Sequence, residues 1–105
     1  MKSTFDWSRA ALMLAVAAAW APAAYAQDAN TVRGMAATCA NCHGTDGRSN
    51  SGIPGLAGAD KSFIVGQMQD FKSGKRASTI MQQLARGFSD AQIEQIAGYF
   101  AAQRK

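Results

Sequence analysis

Two cysteines separated by two residues and followed at once by histidine, Cys39-Ala40-Asn41-Cys42-His43, constrain this chain more than any other feature. This is the spacing at which a c-type haem is attached. Each thiol adds to one of the two vinyl groups of a single haem, and the histidine that follows stands under the iron as an axial ligand. Other uses of such a pair fit poorly. A zinc site takes four ligands, and the 105-residue chain holds two cysteines and one histidine in total. A thioredoxin-like pair sits in a βαβ setting, which the surrounding sequence does not offer. A structural disulfide in an exported protein is the remaining alternative.

Export is independently suggested. Residues 1–26 read as a secretory signal peptide. Lys2 and Arg9 make a basic start, diluted by Asp6, and Ala10 to Ala21 is a nearly unbroken apolar run. That run is shorter than the ~20 residues a membrane-spanning helix needs, and Pro22 closes it. Ala24-Tyr25-Ala26 fits a small-x-small cleavage site, so the mature domain is expected to span residues 27–105, in the periplasm and without stable membrane insertion.

Those 79 residues keep nine basic and six acidic side chains, for a net charge of +3. One small domain is the only option. Chains of roughly this size bury a marginal core and generally need a staple. A covalently held haem is such a staple, because few aliphatic side chains suffice to pack around a large apolar plate. No basic stripe with interleaved aromatics is present, so nucleic acid is not an expected partner.

Periodicity predicts an all-α domain of about four short helices. Val32, Met35, Ala36 and Cys39 recur at helical spacing. They predict a first helix over about Ala29 to Ala40, capped by Asp28. Residues 44–58 are rich in Gly, Ser, Asn and Pro and predict a long irregular loop. A second helix follows Asp60, with Ile64, Met68 and Phe71 on one face, and stops at Gly74. A third spans about Thr79 to Ala85 and ends at Gly87. The last begins with a capping box, Ser89 and Gln92, ahead of the stripe Ile93, Ile96, Ala97 and Phe100. No run alternates at period two.

With His43 the sole histidine, bis-histidine ligation within one chain is excluded. The mature methionines are Met35, Met68 and Met81. Met35 shares a helix with the attachment residues, on the wrong side to oppose His43. Met68 lies in the apolar stripe of the second helix, where a core role fits. Met81 opens a short helix after a polar stretch and is placed to reach an open haem face, although any methionine can equally fill a gap in the core.

The segments Cys39–Gly47, Ile53-Pro54-Gly55-Leu56-Ala57-Gly58, Phe71–Arg76, Thr79-Ile80-Met81, Ser89–Ile93 and Ile96–Phe100 together resemble the small bacterial class I cytochromes c, in family order over nearly the whole mature chain. Within that family the likeness is greatest to the cytochrome subunit of flavocytochrome c sulfide dehydrogenases. The resemblance implies the class I cytochrome c fold around one haem. It implies that Met81 is the distal ligand, that the Pro54 carbonyl receives the ring N–H of His43, and that Arg76 pairs with a haem propionate. It also implies that an aromatic of the last helix, Tyr99 or Phe100, crosses a small residue of the first; Gly34 lies nearer Cys39 than the family pattern places that residue.

A His/Met iron with no open position suits one-electron transfer and disfavours catalysis by this chain alone. Two roles follow. One is the haem subunit beside a sulfide-oxidising flavoprotein. The other is a free shuttle between respiratory or photosynthetic complexes and a terminal oxidase or reductase. Lys61, Lys72, Lys75, Arg76 and Arg86 fall in the half of the chain that carries the distal face, where they would steer an acidic partner.

Overall fold

The computed structural model describes residues 21–105, with side chains from residue 28 onward. The basic start and apolar run of the predicted signal peptide, through residue 20, lie outside the described residues. Two compact units are distinguished, Met1–Asn30 and Thr31–Lys105. Of the first, the described part is helical; the second carries the core and the candidate site.

Four α-helices are present among the described residues: α1 (Ala21–His43), α2 (Lys61–Ser73), α3 (Ile80–Arg86) and α4 (Asp90–Ala101). A short 3-10 turn, Thr45–Gly47, follows α1, and no strand occurs among the described residues. The all-α expectation holds. One boundary does not. Asp28 caps nothing, because helix continues on its N-terminal side through the alanine-rich residues from Ala21. Alanine is the strongest helix former, so nothing in that stretch stops the helix where a capping side chain happens to fall.

The other ends follow their local chemistry. Asp60 accepts from the backbone N–H groups of Ser62 and Phe63 and starts α2, which Gly74 ends in the left-handed conformation at φ 81°. Ser89 and Gln92 form the reciprocal capping box of α4. Gly87 follows α3 as expected.

α2 packs against both α3 and α4. The core consists of Ala36 from α1, Ile64 and Met68 from α2, Ala85 from α3, and Ile93, Ile96, Ala97 and Phe100 from α4. Three of the eight are alanines, so these side chains bury little area for a domain of this length. Ala36 is the small residue of α1 that joins Phe100 in this core. Gly34, by contrast, is exposed and faces open space. Large apolar side chains remain outside: Ile80 is 65% exposed, Phe63 60%, Leu84 41% and Ile53 39%.

Candidate functional site

The last turn of α1 carries Cys39, Cys42 and His43 at i, i+3 and i+4, which places all three on one helix face. Cys39 is half-buried against the core and Cys42 is exposed, and both are free thiols. Burial pushes the Cys39 thiol up from its ordinary range, with a smaller opposing contribution from the Thr38 hydroxyl. Among the described residues, no three His, Cys, Asp or Glu side chains converge as a metal site would require.

His43 ends α1 with its ring half-buried. Its Nδ1 lies 2.6 Å from the carbonyl oxygen of Pro54. A carbonyl only accepts, so Nδ1 carries the proton and the Nε2 lone pair is left free. That is the tautomer an iron ligand needs, and an acceptor on the far nitrogen makes the ligand more basic.

Pro54 reaches His43 because the loop is folded back on a single residue. The Gly47 carbonyl accepts from the N–H groups of Leu56 and Ala57 at 2.8 and 3.1 Å. Gly47 is buried with φ +79°, and a Cβ there would meet the Phe100 ring at 2.8 Å, so no other residue fits. Beside it, Asp46 accepts from the Tyr99 hydroxyl at 2.6 Å. Asp46 also pairs with Arg48 at 3.3 Å. Neither Asp46 nor Tyr99 stood out as a pair in the sequence. The Asp46-Gly47 dipeptide announces a turn, but nothing in spacing links it to a tyrosine 53 positions away.

The methionines separate by burial. Met68 is 8% exposed and belongs to the core. Met35 and Met81 are half-buried and pack against its edge. Met81 lies in the first turn of α3, its N–H donating to the Ser78 hydroxyl at 3.1 Å. Arg76 is held along α2, donating to the Gln67 side-chain oxygen, with its guanidinium 4.8 Å from the Phe71 ring centre.

This donor set fits a haem. Two unlinked thiols and an imidazole with a free Nε2 share one helix face, and two thioethers, Met35 and Met81, lie at the core edge. The exposed Ile53, Ile80 and Leu84 are the kind of surface an apolar plate would cover. A separate surface cleft of about 460 Å³, lined by Arg33, Ala36, Tyr99 and Gln103 among others, does not include Cys42, His43 or Met81.

The charge network sets the pH response. The hydrogen bond from Tyr99, followed by Arg48, holds the Asp46 carboxyl below the usual range. The same bond pushes the Tyr99 hydroxyl up. A lowered folded-state pKa stabilises the fold above the unfolded carboxyl value of about 4, and that contribution is lost as pH falls through the folded value. A raised tyrosine pKa stabilises below about 10 and is lost as pH rises through the folded value. Thermal melting of Tyr99→Phe should therefore differ from the native chain most between those limits and converge with it at both extremes.

Four helices that place a Cys-x-x-Cys-His segment beside a carbonyl-tethered imidazole define a small electron-transfer protein of the haem-attaching kind. Residues 29–103 match the cytochrome c family, and the chain belongs to it. The cytochrome subunit of sulfide dehydrogenase from Chlorobaculum tepidum is 44% identical over 66 residues, covering 63% of this chain and 60% of that protein. Cytochrome c4 from Pseudomonas aeruginosa is 41% identical over 80 residues, covering 75% of this chain and 40% of that protein. A solved cytochrome c4 structure from Acidithiobacillus ferrooxidans matches with a TM-score of 0.59 at 36% identity, covering 61% of this chain and 37% of that one. The chain thus spans less than two thirds of the length of each of these relatives. Family membership implies a covalently bound haem c, for which the two cysteines, Cys39 and Cys42, are present. As a member of that family the chain is an electron carrier.

Proposed function

We propose that this chain is an exported cytochrome in which Cys39 and Cys42 hold the haem by thioethers and His43 and Met81 are the axial ligands. In this reading residues 1–26 are the cleaved leader and residues 27–105 the mature periplasmic domain. Among the described residues, no helix is long and apolar enough to cross a membrane. The observation that carries the reading is the 2.6 Å bond between His43 Nδ1 and the Pro54 carbonyl, which leaves Nε2 free on the face shared with both thiols. When bound, the haem supplies one-electron exchange at its iron. The protein's part is to fix the imidazole's tautomer and bring a soft thioether from α3. Arg76 is a candidate partner for a propionate once it leaves Gln67.

The proposed electron donor is a sulfide-oxidising flavoprotein, as the likeness to the Chlorobaculum tepidum subunit suggests. The charge pattern favours a lasting partnership over a loosely steered shuttle. Of the five basic residues expected to attract an acidic partner, Lys61 pairs with Glu94, Lys72 with Asp90 and Lys75 with Asp70. Arg76 and Arg86 alone of the five are left without a carboxylate partner among the described residues, while Phe63, which the haem reading does not call on, stands 60% exposed on α2. Apolar contact of this kind is typical of permanent interfaces. Co-expression with the candidate flavoprotein tests the proposal. The expected result is a complex that survives high salt, with sulfide-dependent haem reduction only when both chains are present. Equal reduction by unrelated donors, lost at high salt, would favour the free carrier among respiratory or photosynthetic complexes.

A further inference from the structure

The Pro54 carbonyl sits against His43, yet the segment that carries it is exposed from Asn50 through Gly55. Burial does not hold it there. Within the segment the bonds are weak: Ser51 N–H donates to the Ser49 hydroxyl and Ile53 N–H to the Ser51 hydroxyl, both at 3.3 Å and in solvent. The strong restraints lie outside it. Leu56 and Ala57 hang from the Gly47 carbonyl, and Gly58 N–H donates to the Phe100 carbonyl at 2.9 Å. The position of Pro54 therefore depends on what fixes Gly47.

Gly47 is fixed through its neighbours. Asp46 Oδ1 accepts from the half-buried Tyr99 hydroxyl at 2.6 Å. Arg48 donates from Nε to the Arg104 carbonyl at 2.9 Å and from Nη1 to Asp46 Oδ2 at 3.3 Å. Both side chains thus tie the turn that follows His43 to α4 and the residues after it. Asp46 has φ +53° and, among the described residues, is the one non-glycine with positive φ. Glycine would adopt this conformation more easily. A carboxylate at a position suited to glycine is explained by the bond it makes to Tyr99.

We propose that Asp46 and Tyr99 are positioning residues for the axial imidazole. Their hydrogen bond anchors the turn after His43 to α4 and thereby keeps the Pro54 carbonyl on Nδ1. The inference rests on the reading of His43 as an iron ligand. Neither residue touches the haem in this account; both act through Gly47 and Pro54. A well-held acceptor makes the imidazole a stronger donor, which favours the oxidised iron. A loosened acceptor therefore raises the midpoint potential.

The test uses the haem-loaded protein and three variants. Tyr99→Phe keeps the ring, which stands edge-on to Phe100 at 5.2 Å between centres, and removes the hydroxyl. Asp46→Gly relieves the backbone and removes the acceptor. Asp46→Asn retains an acceptor. The first two should raise the potential, speed solvent exchange of the His43 Nδ1 proton, and accelerate amide exchange at Leu56 and Ala57 by about tenfold. Asp46→Asn should shift all three less. If the variants melt at lower temperature while the potential and the His43 proton stay unchanged, the pair is merely structural and the proposal is overturned. The ligand reading has its own readout. In reduced native protein, the His43 ring protons should be shifted strongly upfield by the haem ring current. Their absence would overturn that reading, and the proposal with it, whatever Tyr99→Phe does.

Discussion

Met81→Ala should abolish the weak far-red sulfur-to-iron absorption band of the oxidised protein and open the iron to carbon monoxide. The potential should fall by on the order of 0.1–0.3 V, a fraction of the ~0.8 V range that axial ligands span. A thioether stabilises the reduced iron, and its loss removes that preference. The proposal assigns the role to Met81, which like Met35 is half-buried at the core edge but lies in the first turn of the seven-residue α3 and not on α1 with the attachment residues. Met68 supplies the control. It lies in the core at 8% exposure, so Met68→Ala should keep the band and cost about 2–5 kcal/mol of stability, as a buried truncation does. The reverse pattern, with the band lost in Met68→Ala and kept in Met81→Ala, would move the ligand to α2.

The double substitution Cys39→Ala, Cys42→Ala should yield no covalent haem and little folded protein. Eight buried side chains, three of them alanine, form the core among the described residues. Their burial is small against the conformational entropy of ordering a chain of this size. Ile53, Ile80 and Leu84 would also remain in water without a haem to cover them. Haem staining after denaturing electrophoresis and far-ultraviolet circular dichroism read the two effects separately. A colourless variant that folds and melts like the native chain would contradict the view that the haem is the structural staple.

Local signals carried most of the helix plan. Gly74, Gly87 and the Ser89–Gln92 box mark the ends because each satisfies or stops a helix through its immediate neighbours. Asp28 failed as a cap for the complementary reason: a good capping side chain is permissive, and alanines before it allow the helix to continue. Cys39, Cys42 and His43 were legible because the attachment chemistry is written in adjacent positions. Met68 could be separated from Met81 by its place in an apolar stripe. The bond between Asp46 and Tyr99 was not legible, since it depends on how a loop docks onto α4. The pairing of Lys61, Lys72 and Lys75 was hidden likewise. Their partners Glu94 and Asp90 lie on α4, and Asp70 faces Lys75 only after Gly74 turns the chain. Helix crossing fell between the two cases: an aromatic in α4 was expected, whereas Ala36 in place of Gly34 emerged from the packing.

The most direct test of the central claim, a single haem c that carries one electron between His43 and Met81, is a spectroscopic redox titration of the purified, export-processed protein. One Nernstian wave with a slope of one electron is expected, with the far-red band present in the oxidised form and lost on reduction. Two waves, an oxidised form lacking that band, or haem that separates from the polypeptide in acidic organic solvent would contradict it.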